Sequence, residues 1–229
     1  MIQYLTDFGL SRQEAVVYEK LLQNGKQTGY EIAKEAGISR SNAYTSLAAL
    51  VEKGAAYLVE ESAKRYIPVP AGEFCGNRIR RMEEEKEWLT VNLPGNSQGE
   101  DGYITIEGQG NIHDKLINLL KGTKERVYMS ASSACISSFA DILEELSAEG
   151  RKVVVITDGP SEVAGACVYL TASKGYQIGI ITDSKYVLSG EYGEGSMNTC
   201  LYSGRRNFVL LFKNALANEI KLIKIQKGE

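Results

Sequence analysis

Three sets of side chains in this sequence are of types that do chemistry, and their spacing keeps them apart. Arg40, Ser41, Asn42, Tyr44 and Thr45 fall within six consecutive positions. A guanidinium, hydroxyls and an amide at that density suit hydrogen bonds to phosphate oxygens and to the edges of bases. Lys64 and Arg65 add two adjacent cations further along the chain, suited to a phosphate backbone or a minor groove. The third set, Ser130, Ser132, Asp158 and Asp183, offers hydroxyls and carboxylates that would orient a small polar ligand. Ser and Asp are also among the commonest loop residues, so a plain structural reading of this third set competes with the ligand reading.

Metal and redox chemistry find little support. With His113 as its one histidine, the sequence excludes most multi-histidine metal sites. Cys75, Cys135, Cys167 and Cys200 lie 60, 32 and 33 residues apart, which is neither a CxxC spacing nor a dense disulfide framework. Reduced thiols and no cofactor are expected. No run of eighteen apolar residues occurs, and the start, Met1-Ile-Gln-Tyr-Leu-Thr-Asp7, has neither a basic stretch nor an apolar one. Neither a membrane contact nor export is expected, and the cytosol is the expected compartment.

The first set of residues needs a scaffold, and local signals supply one. Ser11-Arg-Gln-Glu14 and Thr28-Gly-Tyr-Glu31 are both capping boxes, each opening a helix. The first helix carries Ala15, Tyr18, Leu21 and Leu22 at helical spacing and stops at Asn24-Gly25; the second carries Ile32, Ala33 and Ala36 and breaks at Gly37. Ser39 caps a third helix whose stripe is Ala43, Leu47, Leu50 and Val51. Two helices joined through a tight glycine turn predict a helix-turn-helix. A turn of about 100° per residue places Ser41, Asn42 and Thr45 opposite the stripe, with Arg40 in the first turn and Tyr44 at the edge. Ala55–Val59, a polar corner Glu60–Ala63 and Lys64–Ile67, closed by Pro68, predict a hairpin with Lys64 and Arg65 at its tip.

Beyond the hairpin, Cys75, Ile79, Met82, Lys86, Leu89 and Leu93 recur at 4-3-4-3-4 spacing in a charged stretch. That is either a short coiled-coil seam, with Phe74 and Trp88 packed on neighbouring domains, or a helix covering its own domain. Pro94–Gly102 then punctuates the chain. From Tyr103 the pattern alternates. Strands are expected at Tyr103–Ile106, Arg126–Ser130 and Lys152–Thr157, with helices at Ile112–Leu120 and Ile136–Glu149 between them. Further strands are expected near Val168–Leu170, Gln177–Thr182, Tyr186–Leu188 and Thr199–Tyr202, and a last helix from Asn207 to about Ile220. The alternation predicts parallel pairing, and Val153–Ile156 and Ile178–Ile181 read as strands buried on both faces.

Leu10-Ser-Arg-Gln-Glu-Ala-Val-Val-Tyr18, Ile38-Ser-Arg-Ser-Asn-Ala-Tyr44 and Leu50-Val-Glu-Lys-Gly54 resemble the N-terminal domain of the TrmB family of transcriptional regulators over residues 1–93. The resemblance implies a winged-helix reader of double-stranded DNA that works as a homodimer. It places Arg40, Ser41, Asn42, Tyr44 and Thr45 on the recognition helix, and pairing through Ile79, Met82 and Leu89 on the charged helix. The remainder resembles the phospholipase D-like α/β domain of such regulators, on Ile180-Ile-Thr-Asp-Ser-Lys-Tyr-Val-Leu-Ser-Gly190. The enzyme prototype of that domain needs two His-x-Lys-x4-Asp motifs, one histidine attacking phosphorus and another protonating the leaving group. Here His113-Asp-Lys115 is followed by Leu120 where the aspartate should stand, so catalysis is not expected and His113 reads as a surface residue at a helix start.

The expected fold class is therefore a two-domain α+β and α/β chain. A winged helix-turn-helix would span 1–70, a linking dimerisation helix 71–93 and a phospholipase D-like α/β domain 103–229, the last a candidate sensor of a small-molecule effector. Bulk numbers fit two domains: 229 residues, 43% hydrophobic and 24% charged. Net charge gives no help to a nucleic-acid reading. It is −3 overall, and residues 1–93 hold 12 Lys and Arg against 13 Asp and Glu. A local basic face suffices for phosphate contact, but the acidic balance keeps a protein-interaction adaptor open as an alternative, with a phosphodiesterase as a more remote one.

Overall fold

Both capping boxes form. Ser11 N–H donates to Glu14 Oε2 at 2.8 Å while Glu14 N–H donates to Ser11 Oγ at 3.2 Å. Thr28 and Glu31 repeat the exchange at 2.7 and 3.3 Å, each cap being worth about 1 kcal/mol. They start α2 (Arg12–Asn24) and α3 (Gly29–Glu35). The computed structural model describes residues 1–60, 63–94, 102–161 and 163–227, and the chain falls into two units, Met1–Gly95 and Asn96–Glu229. The polar corner at Glu61 and Ser62 and the stretch from Gly95 to Asp101 lie outside the described residues.

The first unit begins with α1 (Ile2–Asp7), a single short helix that the sequence patterns do not announce. After α2 come β1 (Gln27–Thr28), α3, α4 (Arg40–Glu52), β2 (Ala56–Glu60), β3 (Lys64–Pro68) and α5 (Ala71–Asn92). Gly37 makes the turn from α3 to α4 at φ +64°, a conformation glycine adopts without a Cβ penalty. The strands form an antiparallel sheet in the order β1-β3-β2, and Pro68, expected to close the hairpin, instead pairs with Ala56 as its last rung. Tyr18, Leu21, Ile32, Leu47, Leu50 and Phe74 are fully buried together. Leu22, expected in this core, is exposed instead, one position beyond the apolar stripe.

The second unit holds β4 (Ile104–Glu107), α6 (Gln109–Lys121), β5 (Arg126–Ser130), α7 (Ser133–Ser137), α8 (Ala140–Ala148), β6 (Lys152–Thr157), β7 (Cys167–Leu170), β8 (Gln177–Thr182), β9 (Tyr186–Glu191), β10 (Thr199–Ser203) and α9 (Arg206–Lys227). The sheet order is β4-β10-β9-β8-β5-β6-β7. Only the pairs β5–β6 and β6–β7 are parallel; the other four are antiparallel. The parallel sheet expected from the alternation is thus a mixed one. Helical crossovers end after β6, and β8 returns to β9 through a tight turn in which Asp183 and Ser184 adopt φ of +50° and +53°, a connection that joins antiparallel neighbours.

Both sheet faces are covered. Val127, Met129, Val153, Val155, Ile178 and Ile180 pack against α6, α7 and α8, whereas Ile156, Ile181 and Val187 pack against α9. Alternate residues of one strand serve opposite cores, as the doubly buried apolar runs require. The helix expected over Ile136–Glu149 is two helices, broken at a junction where Phe139 turns fully into the core.

Candidate nucleic-acid interface

Helix α4 divides cleanly by exposure. Ala43, Ser46, Leu47 and Leu50 are buried, while Arg40, Ser41, Asn42, Tyr44 and Thr45 are all exposed. Ser39 Oγ accepts from Asn42 N–H at 3.2 Å, so the cap fixes the turn that carries Arg40 to Asn42. No carboxylate interrupts this half of the helix. Two residues absent from the sequence-based set shape the face. The Arg40 guanidinium sits 4.6 Å from the centre of the exposed Tyr30 ring on α3, a cation–π contact that holds it over the turn. Tyr44 lies across Gly29, where an added Cβ would come within 2.4 Å of its ring. Neither was legible in the sequence, since both contacts cross between helices.

The two wing cations diverge, because neighbours on a strand point to opposite faces. Lys64 is exposed and its register partner is Glu60. Arg65 is half-buried, pairs in register with Thr28 and sends its guanidinium to Glu31 at 4.0 Å. It therefore ties the wing to the start of α3 rather than sharing a tip with Lys64. The Glu31 carboxyl is held below its usual range by the Thr28 backbone and side chain, then by Arg65.

Helix α5 is rooted in this unit. The Tyr18 hydroxyl donates to the Val69 carbonyl at 2.7 Å, the Tyr18 and Phe74 rings lie 5.6 Å apart, and burial pushes the Tyr18 hydroxyl up to about 12. Phe74 thus belongs to its own unit's core, not to a neighbouring domain, and Trp88 is exposed. Cys75 also joins the edge of this core. Ile79, Met82 and Leu89 are between 44% and 50% exposed, an apolar line along a helix otherwise covered with Glu, Arg and Lys.

The strand-end residues of the second unit do not converge. Ser130 is buried, Ser132 Oγ accepts from Cys135 N–H at 3.3 Å, and Asp158 accepts from the Ser133 and Lys174 amides, each at 2.8 Å. These three gather where β5 and β6 end. Asp183 lies at the opposite edge of the sheet, because β8 runs antiparallel to β5. There it accepts from the Lys124, Glu125 and Arg126 amides at 2.9, 2.8 and 3.0 Å. Burial pushes the Asp183 carboxyl up, but the Arg126, Lys124 and Glu125 amides outweigh it and hold the group below its usual range. The carboxylates thus serve as backbone locks.

His113 is not a surface residue at a helix start: α6 begins at Gln109, and the half-buried imidazole lies 2.9 Å from the Tyr192 hydroxyl, its ring 5.1 Å from Phe139. Burial pushes the thiols of Cys135 and Cys200 up to about 12 and about 11. Both stay protonated near neutral pH. Among the described residues no cluster of His, Cys, Asp or Glu is placed to hold a metal ion, and no helix is long and apolar enough to cross a membrane.

A capped three-helix core, a glycine turn, a polar outward helix face and an antiparallel hairpin define the class of winged helix-turn-helix proteins. Residues 5–72 match the family model described as the sugar-specific transcriptional regulator TrmB. The chain is 27% identical over 173 residues to the uncharacterized protein YrhO of Bacillus subtilis (strain 168), covering 74% of this chain and 63% of that one. It is 24% identical over 152 residues to the HTH-type sugar sensing transcriptional regulator TrmBL1 of Pyrococcus furiosus, covering 63% of this chain and 44% of that one. The chain thus spans less than two thirds of the length of both relatives. A solved structure of TrmBL2, described as an archaeal chromatin protein with a novel mode of DNA binding, aligns over 96% of both chains at 17% identity and a TM-score of 0.46.

Proposed function

We propose that the protein is a transcription regulator that binds double-stranded DNA as a homodimer and acts in the cytoplasm. The N-terminal half of α4 enters the major groove, and the wing lies along the backbone. The observation that carries this reading is the outward face of α4. Its N-terminal half, Arg40 to Ser46, exposes five residues that are all hydrogen-bonding, one of them a cation, and no carboxylate lies among them. The match of residues 5–72 to the family model supports the same reading. Arg40 and Lys64 supply phosphate or base contacts, and Ser41, Asn42, Tyr44 and Thr45 the finer readout.

The line Ile79, Met82 and Leu89 on α5 pairs with its copy in the partner chain, which places two readers on two half-sites. The phospholipase D-like second unit works without hydrolysis, since Leu120 stands where the motif after His113-Asp-Lys115 needs its aspartate and the half-buried imidazole is engaged with the Tyr192 hydroxyl. Selection of bound fragments from random DNA tests the reading: an inverted repeat with half-sites about one helical turn apart is expected. Absence of enrichment at any salt concentration would support a protein-interaction adaptor instead.

A further inference from the structure

Among the described residues of the second unit, one face of the seven-stranded sheet is covered by three helices and the other by α9 alone. On β5, Val127 and Met129 point into the larger core, so Arg126 and Tyr128 must point to the α9 side. On α9, Lys213, Ala217, Lys221 and Lys224 recur at helical spacing and line one flank. Between them is a groove of about 320 Å³, a volume at the lower end of those that hold small molecules. Its floor is Tyr128, Ile181 and Leu216.

The charge of this groove sets it apart. Residues 96–229 carry 14 Lys and Arg against 16 Asp and Glu, yet the lining holds four cations and no carboxylate. Among the described residues no carboxylate pairs with Lys213, Lys221 or Lys224, while Arg126 pairs with Glu125. Asp183, next to the lining residue Ser184, is committed to three backbone amides. A fifth cation, Lys152, stands 5.7 Å from the centre of the Tyr128 ring. Like charges gathered at an apolar floor repel one another, and an anion of the right shape relieves that repulsion.

We propose that this groove binds a small organic anion, a carboxylate or phosphate on an apolar body. The body lies on Tyr128, Ile181 and Leu216, and the head sits among Lys213, Lys221 and Lys224. Burying the body adds affinity with each methylene laid on the apolar floor, and the lysines discriminate for the charged head. The strand-end serines and Asp158 take no part. Service of this site as a regulatory input rests on the DNA-binding reading, but ligand binding itself does not, so it is measured without DNA.

The test is calorimetric titration of the full chain with octanoate, octyl phosphate and octanol, repeated on the double variant Lys213→Glu/Lys221→Glu and on Ala217→Trp. At least one of the two anions is expected to bind about tenfold or more tightly than octanol, with the stronger identifying the head. The double variant, altered only at exposed lysines, is expected to lose about tenfold or more of that affinity. Ala217→Trp, which fills the groove, is expected to lose binding altogether. Octanol binding as tightly as both anions, an unaffected double variant, or no binding of either anion would overturn the proposal. Loss of DNA binding with anion binding intact would count against the regulatory reading alone.

Discussion

At the scale of single residues, function and stability rest on different side chains. Arg40 is exposed, and among the described residues its contact is the Tyr30 ring, so Arg40→Ala should leave the melting temperature unchanged and weaken DNA binding by about tenfold, the value of one good contact. Gly29→Ala should also weaken binding, because the new Cβ displaces the Tyr44 ring; comparing it with Tyr44→Ala in the same titration separates lost contact from displacement. Asp183 is the converse case. Asp183→Asn keeps a residue that tolerates positive φ but removes the charge facing three amides, and should cost about 2 kcal/mol in denaturant unfolding. Since the folded carboxyl titrates below its unfolded value of about 3.9, its stabilisation is fully present above about pH 4. It is lost as pH falls through the folded value, so the gap between wild type and Asp183→Asn should close on acidification. The sequence marked Arg40 and Asp183 by type alone. What each does depends on Tyr30 and on the Lys124–Arg126 amides, which are near in space and far along the chain.

At the scale of elements, legibility followed the range of the interactions. The capping boxes at Ser11 and Thr28 and the turn at Gly37 are local, and the helices they bound lie where the sequence places them. Thr28→Ala should accordingly destabilise the first unit by about 1 kcal/mol in thermal or denaturant unfolding. Helix α1 has no side-chain cap, and its two core contacts, Ile2 and Leu5, are too few to make a periodic pattern that would announce it. The antiparallel pairing of β8 with β5 is a choice among strands of equal apolarity, made by the turn at Asp183 and by packing on α9, which no local pattern encodes. That choice also separates Asp183 from Ser130 and so dissolves the strand-end site the sequence suggested. On α5 the apolar line was legible from spacing. Met82→Glu should therefore weaken self-association in sedimentation equilibrium without lowering helix content, because Met82 is half exposed and lies outside the core of its own unit.

At the scale of the whole molecule, a net charge of −3 conceals two local departures from it, the carboxylate-free N-terminal half of α4 and the basic groove beside α9. Average charge was a poor guide to partners because both surfaces are small and lie in separate units. The most direct test of DNA reading by α4 and the wing is a titration of the selected duplex at two salt concentrations, using wild type and the variant Arg40→Ala/Lys64→Ala. The expected result is tight wild-type binding that weakens steeply with salt, together with a variant that binds about a hundredfold more weakly and with a shallower salt dependence. Equal affinity and equal salt dependence for the two proteins would contradict it.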